Sequence, residues 1–222
     1  LDMLTKPQGS LGQLEELAKR YIAIRNGETS TLKNISTVVF AADHGVTEEG
    51  VSAYPSEVTP QMVMNFINKG AAVNVLANHI NADVTIVDIG VNFDFKNHPD
   101  LLHRKIDSGT KNFSKEPSMT RSQGELSIAT GIEIASQSAS QGVDILTTGE
   151  MGIGNTTSSS AIYSIIGKKT VEEVTGRGTG IDDLVLHKKI ATIKKGLELH
   201  QPNPDDPIDI LTKVGGFEIG GI

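Results

Sequence analysis

One carboxylate, Glu150, stands among glycines and is followed by a run of hydroxyl side chains in the segment TTGEMGIGNTTSSS, residues 147–160. Glycines allow tight turns, and free backbone N–H groups at the start of a helix attract anions such as phosphate. The segment therefore predicts phosphate or nucleotide contacts from Gly152, Gly154, Asn155, Thr156 and Thr157. An ordinary helix capped by Asn or Thr is the alternative. Because a carboxylate inside such a cradle would repel an anion, we expect Glu150 to face another group.

A second glycine-rich turn occurs in VTGRGTGIDDLVLHKK, residues 174–189. Asp182 and Asp183 stand where a helix is predicted to begin, and Lys188 and Lys189 follow about two turns later. Such lysines usually belong to a solvated face, but one that reached a phosphate would form a charge-assisted hydrogen bond. With Lys+Arg 20 against Asp+Glu 27 and a net charge of -7, the chain needs a local positive site of this kind to hold an anion.

Acidic residues also mark the ends of three apolar runs. Asp43, Asp88 and Glu150 each stand beside a glycine turn at the end of a β-branched segment. In a parallel sheet these ends fall on one edge, where ligands of α/β proteins bind, although a carboxylate can also cap the next helix. His44 follows Asp43, and we interpret it as a hydrogen-bonded structural residue, with acid–base chemistry as the alternative. No metal-ligand spacing is present, so no bound metal is predicted.

The three apolar runs are predicted strands, at residues 36–45, 83–91 and 143–152. Between the first two, Thr59 and Pro60 predict an N-cap and a first helical position, and Gly70 predicts a break. Before the third, Thr120 and Gln123 have the spacing of a capping box. A strand, helix, strand alternation of this kind indicates a mostly parallel α/β sheet covered by helices.

Two other segments complete the predicted organisation. Ser10 and Gln13 predict a capping box for an N-terminal surface-packed helix. Residues 92–119 form a long polar connection, which predicts either a functional flap or an ordinary packed excursion.

Composition limits the possible classes of protein. Aromatic residues make up 4% of the chain and Trp is absent, which argues against a stacking platform for nucleic acid. Cys is 0, and neither a membrane-spanning run nor a signal peptide is apparent, so a soluble cytoplasmic protein is predicted. We expect neither nucleic acid nor a membrane as a partner.

Seven segments in order along the chain resemble the nicotinate-nucleotide:dimethylbenzimidazole phosphoribosyltransferase family, which makes the lower-ligand nucleotide of cobalamin. They are LTKPQGSLGQLEELA, FAADHGV, GVSAYPSEVTPQMV, VDIGV, TTGEMGIGNTTSSSAI, VTGRGTGIDD and VGGFEIGGI. The resemblance implies a Rossmann-like parallel sheet, a small helical annex from the terminal segments, and a homodimer. We expect residues 1–30 to form an N-terminal helical annex and residues 31–222 to form the phosphoribosyltransferase-like core.

The resemblance also implies a reaction and roles for residues. The phosphoribosyl group of nicotinate mononucleotide would pass to dimethylbenzimidazole with inversion, releasing nicotinate and needing no cofactor. Gly152, Gly178 and Lys189 would hold the phosphate, and Glu150 would lie close to the reacting groups in a supporting catalytic role. The benzimidazole would lie near Ser52, Tyr54 and Gln61, for which a serine-rich loop packed on the core is the alternative.

The same resemblance implies that part of the family's sequence is not in this chain. Family members continue beyond VGGFEIGGI, and the carboxylate regarded as their catalytic base lies in that later part, beyond Ile222. The family's N-terminal start is also not matched. We therefore expect these 222 residues to bind nucleotide but to release nicotinate slowly, because a positioned base contributes about 10² to 10⁴ in rate. A non-catalytic nucleotide- or benzimidazole-binding protein of the same fold is the alternative.

Overall fold

The computed structural model describes residues 3–27 and 32–222. The chain divides into two compact units, residues 1–33 and 34–222. The domain boundary predicted between residues 30 and 31 lies outside the described residues.

The smaller unit contains one helix, α1 (Gln13–Ile24), within its described part. The predicted capping box of Ser10 and Gln13 is wrong. The N-cap is Gly12, which has a φ of 55° and receives no capping hydrogen bond from a side chain. The Glu15 carboxylate instead accepts the N–H of Leu11 at 3.2 Å and pairs with Lys6 at 2.7 Å. An acid in the first turn thus takes over the role that was predicted for Ser10.

The larger unit is built on a four-stranded parallel sheet of order β3-β2-β1-β4. Its strands are β1 (Ile35–Ala42), β2 (Asp83–Gly90), β3 (Leu101–His103) and β4 (Ile145–Met151). The three predicted strands are therefore present, and the parallel α/β architecture is confirmed. The central strand, β1, reads ISTVVFAA and is buried over most of its length, which explains its continuous apolar character.

Eight further helices are described in the larger unit, and they cover both faces of the sheet or pack beside it. They are α2 (Val58–Ile67), α3 (Ala72–His79), α4 (Arg121–Ser140), α5 (Asn155–Ile166), α6 (Val171–Val174), α7 (Asp183–His200), α8 (Pro207–Val214) and α9 (Phe217–Gly221). A short 3₁₀ helix, Gly45–Glu49, follows β1. The break predicted at Gly70 separates α2 from α3.

The helix starts test the capping predictions. Thr120 caps α4 and forms the predicted box with Gln123, and Asp182 caps α7 through the N–H of Val185. Thr59 as an N-cap is wrong, because α2 begins one residue earlier, at Val58. The Thr59 hydroxyl is used elsewhere, since it accepts the N–H of Ile153 at 3.1 Å.

Three apolar clusters form the core. Helices α2 and α3 cover one face of the sheet through residues such as Val63 and Phe66. Helices α4 and α9 cover the other face, where Phe217 packs near Phe40. A third cluster, which includes Phe113, joins α5, α7 and α8. Helix α9 thus packs directly on the central strands.

The connection at residues 92–119 packs against the core, and its first residues, Asn92 and Phe93, line a cavity, so a functional role for this segment stays a prediction. It contributes strand β3, and the buried Phe113 ring lies against Gly196 of α7. His200 also contacts the Phe113 carbonyl at 2.7 Å. Among the described residues, no helix combines the length and the apolar character needed to span a membrane.

The close packing of α4 on α9 predicts a large effect of Gly131→Ala. A Cβ at Gly131 would lie 2.1 Å from the carbonyl oxygen of Gly221, so the backbone of α9 would have to move. We expect Gly131→Ala to lower the free energy of unfolding by about 1 to 3 kcal/mol, as overpacking does. Urea denaturation followed by circular dichroism measures this change.

Gly176→Ala is the matched control, because a Cβ at Gly176 meets no atom within 4 Å. Its free energy of unfolding should be unchanged or raised by up to about 1 kcal/mol. Equal stabilities of the two variants would contradict the described contact between α4 and α9.

Candidate active site at the carboxyl edge of the sheet

The carboxyl ends of β1, β2 and β4 meet at one edge, and this edge carries the acids that the sequence singled out. The strand register decides which face each acid shares. Phe40 of β1 lies opposite Val87 of β2 and opposite Glu150 of β4. Because paired residues of parallel strands project to the same side, Glu150 shares the face covered by α4 and α9. Asp88 lies opposite Ala41 and therefore projects to the other face.

Glu150 is the acid with the most perturbed ionisation at this edge. The residue as a whole is exposed, but protein atoms crowd its carboxyl. This desolvation, followed by the charge of Glu218, raises the pKa of Glu150 to about 7. The charge of His44 and a hydrogen bond from the N–H of Gly152 oppose the rise. Glu150 is thus able to gain or lose a proton near neutral pH, which suits acid–base or charge-stabilising chemistry.

Beside Glu150 lies a buried pair, His44 and Glu218, which are 2% and 0% exposed. His44 Nε2 lies 2.6 Å from Glu218 Oε1, and the amide of Asn155 donates to the same oxygen at 2.7 Å. Burial by itself would lower the pKa of His44, but the charge of Glu218 and the hydrogen bond to it hold that pKa above its usual value. The pair therefore favours the charged form of His44 in the interior, next to the site.

Three residues predicted to hold phosphate come together around a buried amine. Lys189 is 1% exposed, and its Nζ donates to Thr156 Oγ1 at 2.8 Å and to the Gly176 carbonyl at 3.5 Å. Gly178 has a φ of 51°, and a Cβ there would lie 2.9 Å from Thr156 Oγ1 and 3.4 Å from Lys189 Nζ. Lysine, hydroxyl and glycine turn thus meet as an anion-binding cluster requires.

Burial lowers the pKa of Lys189 to about 8. Its partners in the described part of the chain are a hydroxyl and a carbonyl, neither of which carries charge. An anion that bound here would supply the missing counter-charge.

The turn from β4 to α5 is shaped by two glycines that approach β1 closely. A Cβ at Gly152 would lie 2.4 Å from the Ala42 carbonyl oxygen, and one at Gly154 would lie 2.9 Å from His44 Cβ. Gly154 also has a φ of 98° as the N-cap of α5. Both positions need glycine because no side chain fits.

The start of α5 is less open to a phosphate than the sequence suggested. The N–H of Asn155 donates to the Gly152 carbonyl, and the N–H of Thr157 donates to the Gly154 carbonyl. The side chains of Asn155 and Thr157 are buried, and Asn155 serves Glu218. Of the candidates at this turn, Thr156 is the exposed residue next to Lys189.

The predicted benzimidazole residues fall in two places. Ser52 Oγ lies 3.5 Å from Thr179 Oγ1 and accepts the N–H of Tyr54 at 3.3 Å, which sets this loop against the glycine turn at residues 176–180. Gln61 instead lines a cavity of about 350 Å³. Its other lining residues include Met64, Asn92, Phe93, Asp43 and Pro60. The cavity combines apolar and amide side chains with the carboxylates of Asp43 and Glu57, and a concave lining of this mixed kind suits a small heterocycle.

Asp43 and Asp88 are both buried. Asp43 accepts the N–H of Asn92 at 2.8 Å, and Asp88 accepts the N–H of Val91 at 2.9 Å and pairs with Lys105 at 3.3 Å. Desolvation raises the pKa of both carboxyls. Among residues 3–27 and 32–222, no group of His, Cys, Asp and Glu is arranged to hold a metal ion.

Sequence reasoning missed Glu218 and Ser158 as members of the site. Ser158 Oγ lies 3.2 Å from His44 Nδ1, and Glu218 is 174 residues away from His44 in sequence. The segment VGGFEIGGI contains one acid among glycines and apolar residues. Such an acid needs a polar partner when it is buried, so the segment indicated that a partner exists. Nothing in the sequence identified that partner as His44.

A phosphoribosyltransferase family model matches residues 1–222. The chain belongs to this family. The phosphoribosyltransferase from Chloroflexus aurantiacus (strain J-10-fl), named nicotinate-nucleotide–dimethylbenzimidazole phosphoribosyltransferase, is 57% identical over 221 residues, covering all of this chain and 63% of the relative. A protein of the same name from Geotalea uraniireducens is 55% identical over 223 residues, with the same coverage. The resemblance read from the sequence motifs is confirmed.

Solved structures of the family agree with the fold. The crystal structure of CobT from Thermus thermophilus matches with a TM-score of 0.92 at 40% identity, covering 99% of this chain and 66% of that one. A second, of nicotinate-nucleotide-dimethylbenzimidazole phosphoribosyltransferase from the same organism, matches with a TM-score of 0.90 at 39% identity, covering 99% of this chain and 65% of that one. The chain spans about 63% of the length of the curated phosphoribosyltransferases it matches.

The buried pair predicts a pH-dependent effect of Glu218→Gln. Removing one partner of a buried ion pair costs about 3 to 5 kcal/mol. Since Glu218 raises the pKa of His44, its contribution is fully present below the unfolded pKa of about 6.5 and is lost as pH rises through the raised folded pKa. The stability difference between wild type and Glu218→Gln should therefore shrink as the pH is raised above the ordinary histidine pKa of about 6.5, as measured by urea denaturation.

Glu198→Gln is the control, because Glu198 is exposed on α7, and it should change stability by less than about 0.5 kcal/mol. A loss for Glu218→Gln that does not vary with pH would mean that His44 is not charged in the folded protein.

Proposed function

We propose that the protein transfers the phosphoribosyl group of nicotinate mononucleotide to dimethylbenzimidazole, giving alpha-ribazole 5'-phosphate, nicotinate and a proton. The observation that carries the proposal is the buried Lys189 amine, which meets Thr156 and the Gly178 turn. Thr156 lies in the first turn of α5, the helix that follows β4 and its protonatable carboxylate, Glu150. The names of the relatives support this choice of substrates. A phosphate anchored at the Lys189 cluster would leave the ribose to extend toward Glu150.

Each part of the site would have one role in this reaction: stabilising charge, donating a hydrogen bond or anchoring the phosphate. The carbon that loses nicotinate becomes positive in the transition state, so a carboxylate such as Glu150 stabilises it when ionised. The same side chain, when protonated, donates a hydrogen bond to a ribose oxygen. Lys189, Thr156 and Gly178 fix the phosphate, and this anchoring holds the reacting carbon in place. Gly152 keeps the turn close enough to β1 for these groups to share one edge.

The acceptor base is proposed to occupy the cavity lined by Gln61, with Asn92 and Phe93 on its walls. A benzimidazole is flat and apolar with two ring nitrogens, so it matches a cavity that combines apolar walls with amide groups. Ser52 and Tyr54 would approach from the loop beside Thr179. The homodimer and the cytoplasmic location implied by the family resemblance are also proposals, and light scattering of the purified protein tests the first.

The phosphate contact predicts a selective effect of Lys189→Ala. Because a hydrogen bond to a charged group contributes about 1.5 to 3 kcal/mol, the Kd for nicotinate mononucleotide should rise roughly 10- to 150-fold. The affinity of the unmodified protein should also fall as pH rises above about 8, where Lys189 loses its proton. Isothermal titration calorimetry with nicotinate mononucleotide, and separately with dimethylbenzimidazole, measures both effects.

Lys188→Ala is the matched control, since Lys188 is the neighbouring exposed lysine. It should leave the affinity for both ligands unchanged. If Lys189→Ala weakens nucleotide and benzimidazole equally, or weakens neither, the amine does not hold the phosphate.

Turnover tests the proposed reaction itself. The full-length protein, incubated with nicotinate mononucleotide and dimethylbenzimidazole, should release nicotinate, and Glu150→Gln should lower that rate more than it lowers nucleotide affinity. Chromatography of nicotinate and alpha-ribazole 5'-phosphate follows both products. Tight binding without release of nicotinate by the full-length protein would favour a binding protein instead.

A further inference from the structure

The hydrogen bonds around His44 suit a protonated imidazole. Nε2 lies 2.6 Å from the Glu218 carboxylate, so it donates there. Nδ1 lies 3.2 Å from Ser158 Oγ, and that hydroxyl donates onward to the Gly215 carbonyl at 3.4 Å. With its proton turned toward Gly215, Ser158 presents a lone pair to Nδ1–H. Both ring nitrogens are then donors, which only the imidazolium provides.

Glu218 has one satisfied oxygen and one free one. Oε1 accepts from His44 and Asn155, whereas Oε2 is buried and has no hydrogen-bond partner within the described residues. The backbone of Gly216 closes over the pair, because a Cβ there would lie 2.5 Å from both carboxylate oxygens and 2.5 Å from His44 Cε1. The charge on Oε2 is therefore weakly screened by water and acts at longer range.

Glu150 is the ionisable group that this charge reaches. Glu150 and the Phe40 side chain share one face of the sheet, and Phe217, next to Glu218, packs on the same face. The electrostatic influences on the Glu150 carboxyl come from Glu218 and from His44, which act in opposite directions. Asp43 acts on His44 in turn, whereas α2, which also packs on β4, carries no ionisable side chain.

We propose that His44 and Glu218 are positioning residues for Glu150, and that the charge of this buried pair, added to the burial of the carboxyl, adjusts whether Glu150 holds a proton when nucleotide binds. Neither residue touches the substrate in this arrangement. They act through Glu150, Glu218 by repelling its negative form and His44 by favouring it.

The consequence for catalysis rests on the proposed function. A protonated Glu150 would admit the anionic nucleotide without repulsion, and an ionised Glu150 would stabilise the positive ribosyl centre. A pair that holds Glu150 near its midpoint at neutral pH allows both forms.

Carbon-13 NMR of protein labelled at the glutamate carboxyl groups tests the proposal without relying on any reaction. The Glu150 signal is assigned by its loss in Glu150→Gln, and its titration midpoint is compared in wild type, His44→Gln and Glu218→Gln. His44→Gln removes the favouring cation, so the Glu150 midpoint should rise by about one unit. Glu218→Gln removes the repelling charge, which has the larger effect on Glu150, and it lets His44 lose its proton. The titration midpoint of Glu150 should therefore fall below that of wild type.

Ser158→Ala is the control, because it removes one hydrogen bond of the same imidazole but neither of the two ionisable groups of the pair. Its Glu150 midpoint should stay within about 0.3 units of wild type, a small shift on the scale that nearby charges produce. Loosening of the site would move every variant toward the ordinary value for glutamate, so a rise in His44→Gln is specific to the proposal. A His44→Gln midpoint that does not rise, or one that matches Ser158→Ala, overturns it.

If His44→Gln does not fold, as judged by circular dichroism, the double variant His44→Gln with Glu218→Gln replaces the ion pair by two neutral amides. Its Glu150 midpoint should fall below wild type, because the larger of the two charges is gone, while its circular dichroism spectrum and urea midpoint stay those of Ser158→Ala, which loosening of the site would not allow. An unchanged midpoint in the double variant would show that the pair only fills space. Loss of nucleotide binding by wild type would count against the proposed function and leave the titration result as it stands.

Discussion

The hydrogen bond between His44 and Glu218 holds the site together, because it ties the end of the central strand to helix α9. Its two atoms are 2.6 Å apart and come from residues separated by 174 positions. Around it, Asn155 orients the start of α5, and Gly215 and Gly216 close the end of α8 over the pair. A buried ion pair is expensive to desolvate, so its presence at this point indicates a functional use of the charge more than a gain in stability.

The site separates opposite charges that its ligand would otherwise bring into conflict. Lys189 sits on α7 beside Thr156, whereas Glu150 and Glu218 lie on β4 and α9. Under the proposed function, the phosphate would be held by one element and the reacting ribose would face the others. Such an arrangement would let a chain with a net charge of -7 attract an anion at one point while keeping acidic groups nearby.

The sequence predicted the elements whose signals are local. The runs that became β1, β2 and β4 were recognisable from β-branched residues, and Thr120 with Gln123 was recognisable from spacing alone. The capping predictions at Ser10 and Thr59 failed because neighbouring groups, the Glu15 carboxylate and the turn before Val58, took over the role.

In the candidate site, too, residues in recognisable motifs could be predicted and residues with distant partners could not. Thr156, Gly178 and Lys189 were named from motifs and do converge. Asn155 was predicted to contact phosphate, and its side-chain amide donates to Glu218, because the direction of a side chain at a helix start depends on what packs against it. Glu218 itself could not be found from spacing, since its partner is 174 residues away and no local pattern encodes that distance.

The strand order has a consequence for how the chain is made. Strand β1 takes part in two pairings, one with β2 and one with β4, and Thr37 and Thr147 of the second pairing are 110 residues apart. At a synthesis rate of about 5 to 20 residues per second, one edge of β1 waits roughly 5 to 20 seconds for its neighbour to emerge. During that interval the segment VVFAA exposes an apolar, unpaired edge of the kind that other chains can join. A chaperone that covers this edge during the interval would therefore improve the yield of folded protein.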